Sequence, residues 1–168
     1  MAQATQSRPS AVRSSDWVSG LSADQKNRLL QKLKLAQSWI DSFTVALGKR
    51  KPPKARIAEH YIAYAPFSNT ISVPARMLME ADERLLRIAV AHECGHFRRR
   101  WSSLLSRSDI ARAGEEFLAD RIAMRLTGAS LDELVAALLE IATFEPGSKG
   151  CDAEQLADRR KLHELAGS

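Results

Sequence analysis

Apolar residues recur along the chain at two different spacings, and the change from one to the other divides it. Leu29, Leu30, Leu33, Ala36, Trp39, Ile40, Phe43 and Leu47 repeat at helical intervals. They predict a long helix from Ser22 or Ala23 to Leu47, with Gly48 as its C-terminal stop. "GKRKPPK" follows as a basic, proline-broken linker. The spacing then shortens: "ARIAEHYIAYA" and "TISVP" flank "PFSN", whose Pro and Asn form turns. This reads as a hairpin, with Pro74 closing a second strand that lies at a sheet edge. Beyond Pro74 every pattern is helical. Asp82 caps a helix from Glu83 to about Arg100, and Ser108 or Asp109 caps one that ends at Gly128. Ser130 and Glu133 make a capping box before "LDELVAALLEIA". After "EPGSKG", Asp152 opens a last helix to about Leu165, with Leu156, Leu162 and Leu165 facing inward. Residues 1–15 show no periodicity and read as a disordered leader before a single domain, residues 16–168. The expected fold class is α+β, mainly helical with a small antiparallel sheet or hairpin.

Composition changes this picture little. At 168 residues the domain can bury a core without a disulfide or metal to hold it together. The net charge of +5 raises nucleic-acid binding, but the basic residues are scattered. The densest run, "FRRRW" from Phe97 to Trp101, continues a predicted helix, where cations answer the terminal carbonyls and the dipole. No nucleic-acid partner is expected. No apolar stretch reaches the length of a membrane span, and no signal peptide is recognised. With two cysteines, Cys94 and Cys151, these features point to a reducing cytoplasm.

The chemistry lies in "AHECGH", Ala91 to His96. Residues four apart on a helix differ by about 40° in direction, so His92 and His96 project from one face and can hold a divalent metal. Glu93 stands about 100° round, badly placed to ligate but within reach of a metal-held water. That is the arrangement of two ligands and a base found in zinc peptidases. Leu85, Leu86, Ile88, Ala89 and Val90 make the helix apolar nearly all round, so it is buried, and buried His and Glu need partners. Gly95 within the helix suggests close approach by another backbone.

The next helix contains "GEEFLADRIA", in which Glu116 and Asp120 share a face and Ala113, Ala119 and Ala123 allow close packing. Glu116 can be the third ligand. Asp120 can accept from the far ring nitrogen of His92 and fix its tautomer. Glu115 competes, but Ala119 four residues on offers no carboxylate. His60 and His163 are left outside the ligand shell, and Cys94 points away from the histidine pair into the core.

With these motifs the chain resembles the gluzincin metallopeptidases of the HtpX-like and CAAX-prenyl-protease group, above all their soluble minigluzincin relatives. The likeness runs from about Tyr64 to Ala142. "FSNTISVPARML" is similar to the family's edge strand and turn, "RIAVAHECGHF" to its metal helix, and "EEFLADRIAMRLTG" to its third-ligand helix. The resemblance implies a zincin-like fold, Zn2+ as cofactor, His92, His96 and Glu116 as ligands, Glu93 as general base, and Asp120 behind His92. The family's membrane helices and its His-Pro segment are absent. A second likeness is to ImmA-type peptidases that cleave repressors, although "MRLTG" replaces their ending.

The leading expectation is a zinc-dependent endopeptidase acting on peptide or protein. Its substrate would lie extended along Thr70, Ile71, Ser72 and Val73 as an added strand. A non-catalytic zinc protein is the alternative, against which Glu93 argues. Donors for the tetrahedral intermediate are sought among His60, Tyr61, Tyr64, Arg159, Arg160 and His163. Arg159 and Arg160 are preferred, because the resembling family also ends in an arginine-bearing helix.

Overall fold

The computed structural model describes residues 18–58, 61–98, 109–144 and 153–167. The expected leader, His60, Cys151, Arg99 to Trp101 and the cap positions Ser108 and Asp152 lie outside them. The first long helix, α1 (Ala23–Ala46), starts where the pattern placed it. Ser22 and Gln25 cap it reciprocally, at 3.2 Å for Gln25 N–H to Ser22 Oγ and 2.9 Å for Ser22 N–H to Gln25 Oε1. Gly48 ends it at φ +67°, a conformation that costs glycine least. Leu29, Ala36, Ile40 and Phe43 are its buried stripe, while Leu30 is exposed.

The sheet departs from the expected hairpin. The stretch 55–65 is not one strand: β1 is Lys54–Ala58 and β2 is Ala63–Ala65, with β3 at Thr70–Pro74. The order is β1-β3-β2, with β1 parallel and β2 antiparallel to β3. The strand Thr70 to Val73 is therefore central, not an edge, and both its sides are already paired. As befits a central strand, Ile71, Ser72 and Val73 are all buried. Ser72 tolerates burial because its Oγ accepts from Arg56 Nε on β1, at 2.9 Å. The outer side of β1 is covered by α1, where Gln37 Oε1 accepts from Ala55 N–H at 2.6 Å. Pro74, with no N–H to donate, leads into a short helix, α2 (Ala75–Glu80), where the family resemblance implies a turn.

Helix α3 (Glu83–Gly95) begins at Asp82, whose carboxylate accepts from the N–H groups of Arg84 and Leu85 at 2.9 and 3.1 Å. It ends earlier than expected: His96 is its C-terminal cap, and His96–Arg98 form a 3-10 turn. From Ile88 to Gly95 every residue is buried. Helix α3 packs against α1, β2, α4 (Asp109–Thr127) and α5 (Leu131–Phe144), and so forms the centre of the core. Ser130 and Glu133 cap α5 as expected, at 3.2 and 2.9 Å. The last helix, α6 (Ala153–Gly167), packs on α4 and α5. It turns Leu156 and His163 inward and leaves Leu162 and Leu165 exposed at 43% and 75%, against the expected leucine face.

Gly95 is where α3 and α4 come closest. A Cβ there would stand 2.6 Å from Ala119 Cα and 2.9 Å from Ala119 O, and backbone cannot swing aside as a side-chain tip can. Ala119 and Ala123 are buried at this contact, whereas Ala113 is exposed. Gly95→Ala is expected to destabilise the fold by about 1–3 kcal/mol through overpacking. It should also weaken metal binding by moving α4 off α3. Urea denaturation and a zinc titration of the same protein measure both.

Candidate metal centre

The contact at Gly95 brings one turn of α4 against the end of α3. His92, His96 and Glu116 each offer a ligand atom there, all within 4.8 Å of one another. His92 Nε2 lies 3.2 Å from Glu116 Oε2, and His96 Nε2 lies 3.8 Å from Glu116 Oε1. The imidazoles meet edge to face, with centroids 5.0 Å apart. Donors about 2.0–2.2 Å from a tetrahedral ion stand roughly 3.3–3.6 Å apart, a spacing that the two measured distances bracket. Two imidazoles and one carboxylate also make a borderline-soft donor set with a position left over. The three residues fit a divalent ion. Glu115 is not part of the group.

Behind the ligands lies Asp120, only 1% exposed. Its Oδ1 is 2.9 Å from His92 Nδ1, a close charge contact that is off the line of a hydrogen bond, and Nε2 is the nitrogen turned towards Glu116. Arg159 of α6 grips the same carboxylate with two nitrogens, Nη2 towards Oδ1 and Nε to Oδ2 at 3.0 Å. Its Nη2 also lies 3.5 Å from Glu116 Oε2. His163 Nε2 is 3.2 Å from Asp120 Oδ2. Arg160, the other arginine considered, is not at the centre. One residue further along the helix is turned by about 100°, and Arg160 bonds Asp132 and Glu164 at 2.7 and 3.1 Å.

Glu93 is 8% exposed, and its Oε2 accepts from Tyr64 N–H at 2.7 Å. The contact shows that the free side of β2 faces the metal helix. It is the backbone of Tyr64 that reaches the site, while the hydroxyl meets Asn69 Oδ1 at 3.4 Å. Tyr61 is half exposed. Cys94 is free and buried. Sequence reasoning missed the parts played by His163 and the Tyr64 amide. His163 had one usable signal, its position four residues after Arg159 and seven after Leu156, on the face that α6 buries.

The charges interlock. Burial alone lowers the His92 pKa, but Asp120 and Glu116 outweigh it and raise it to about 10. Burial raises Glu116, and the His92 contact overrides this and brings it to about 2. Asp120 is held far below the usual carboxylate range because His163 and His92 outweigh its burial. Glu93 goes the other way: burial raises it to about 7 against the pull of His92 and the Tyr64 N–H. A proton on His92 and a metal ion compete for one place. Because the proton is held up to about pH 10, metal binding releases it throughout the neutral range. Zinc affinity is therefore expected to rise with pH, about tenfold per unit between about pH 6.5 and 8, measured by competition with a chromophoric chelator. A flat profile would mean that His92 carries no proton to displace.

No family model, curated protein or solved structure matches this chain. Among the described residues no helix is long and apolar enough to cross a membrane.

Proposed function

We propose that this protein is a zinc-dependent metalloendopeptidase of the gluzincin type. The observation that carries the reading is a buried carboxylate, Glu93, set beside a convergent His92, His96 and Glu116 group and oriented by the Tyr64 N–H. A structural metal site has no use for such a base. His92, His96 and Glu116 would hold a divalent ion, which when bound would supply Lewis acidity to the scissile carbonyl and to a nearby water. Glu93 then takes the proton of the attacking water. The Tyr64 N–H occupies Oε2, which leaves Oε1 to accept it. Burial raises Glu93 to about 7 in the metal-free protein, which suits a group that takes a proton from water and returns it to the leaving amine.

Asp120 lies against Nδ1 of His92 and favours a proton on that nitrogen, and Arg159 acts through Asp120 and Glu116 rather than on substrate. The extended substrate lies beside β2, the edge strand next to Glu93, and meets groups other than the Tyr64 N–H, which Glu93 holds; the central strand β3 has no side free for it.

Metal analysis together with digestion of casein or a peptide library tests the reading. One zinc per chain is expected, with cleavage abolished by a chelator and restored by zinc. A protein that binds no metal, or cleavage indifferent to chelator, overturns it.

A further inference from the structure

Helix α6 presents a polar face to the core. Among its described residues Leu156 is the buried apolar one, and one turn apart beyond it Arg159 and His163 both reach Asp120. His163 is itself buried, with its ring stacked on Phe117 at 4.4 Å between centroids and 24° between planes. A carboxylate facing a guanidinium and two imidazoles is ionised and has no proton to give, so Nε2–H of His163 is the donor.

We propose that His163 is a positioning residue for the metal centre: by donating to Asp120 it holds the carboxylate that holds His92, so that docking of α6 and loading of the metal are one coupled event. The argument is rotational. A carboxylate bound at one oxygen only can turn about its Cβ–Cγ bond and present a different oxygen, or none, to His92. Here Oδ1 faces His92 and Arg159, and Oδ2 faces Arg159 and His163, so His163 adds a second α6 donor at the oxygen that does not face His92 and reinforces the hold of the Arg159 fork against that rotation. His92 then keeps Nε2 turned towards Glu116 before any metal arrives. Coupling is reciprocal: whatever α6 docking contributes to metal affinity, metal contributes to α6 docking. The proposal rests on the metal reading of His92, His96 and Glu116.

Zinc competition titrations on the parent chain, His163→Phe and His163→Gln test it. The Phe variant keeps an aromatic ring for Phe117 and loses the donor, and its zinc affinity should fall roughly 10–100-fold. The Gln variant loses the ring and supplies an amide N–H near the place of Nε2, and it should bind zinc within about threefold of the parent. If His163 only packs, that order reverses. Any result other than a Gln variant clearly tighter than the Phe variant overturns the proposal. A parent chain that binds no zinc overturns the metal reading and this inference with it, so the two failures are told apart by the parent's own titration. Should the Phe variant not fold, backbone amide exchange in the parent decides: zinc should slow exchange across residues 156–166, and unchanged exchange there overturns the coupling.

Discussion

A Glu93→Gln protein is expected to bind zinc within a few-fold of the parent chain and to hydrolyse peptide about 10²–10⁴ times more slowly. Glutamine preserves the shape of the side chain, and its carbonyl oxygen can still accept from the Tyr64 N–H that Glu93 Oε2 accepts now, at 2.7 Å. What is lost is the capacity to take a proton from water and return it to the leaving amine. Stability should not suffer. Glu93 is buried, and burial raises its pKa to about 7, so the folded metal-free protein gains nothing at neutral pH from the charge that glutamine removes. The measurement pairs a zinc competition titration with turnover of a peptide that the parent cleaves. Full zinc occupancy with full turnover would remove Glu93 from the chemistry and require another group as the base.

The second large effect belongs to Asp120→Ala. From the sequence alone, a carboxylate behind His92 is worth roughly 10–100-fold in metal affinity, and its loss leaves the fold intact. The structure changes the second half of that expectation. Asp120 is also the counter-charge of Arg159 and the acceptor for His163, both inside the protein. Its removal takes the doubly bonded carboxylate away from a mostly buried guanidinium, which keeps Glu116 at 3.5 Å. Breaking a buried pair from one side costs about 3–5 kcal/mol, so the metal-free variant should unfold at markedly lower urea. Asp120→Asn keeps an acceptor oxygen without the charge and should fall between the two. An alanine variant within about 1 kcal/mol of the parent would show that Arg159 finds other partners and that Asp120 is not the hub of α6 docking.

These expectations draw on two kinds of information. The helices and their ends were legible because they depend on neighbours a few residues away. Ser22 with Gln25 and Ser130 with Glu133 cap each other across three residues, and Gly48 and Gly128 stop helices at positive φ. The pairing of His92 with His96 and of Glu116 with Asp120 is likewise helix geometry, and Gly95 announced the close helix contact that sets one pair against the other. The order of the sheet and the inner face of α6 were not legible. The sequence pattern puts Ser72 on an edge strand and docks α6 through Leu156, Leu162 and Leu165, with His163 only one of several candidate donors. Ser72 and His163 are buried and Arg159 is largely so, because a residue distant in the chain satisfies each: Arg56 reaches Ser72 from another strand, and Asp120 reaches both α6 residues from another helix. Polarity along a chain says which groups need a hydrogen-bond partner. Whether that partner is water or another part of the protein is decided only when the distant segments meet, and burial is decided with it.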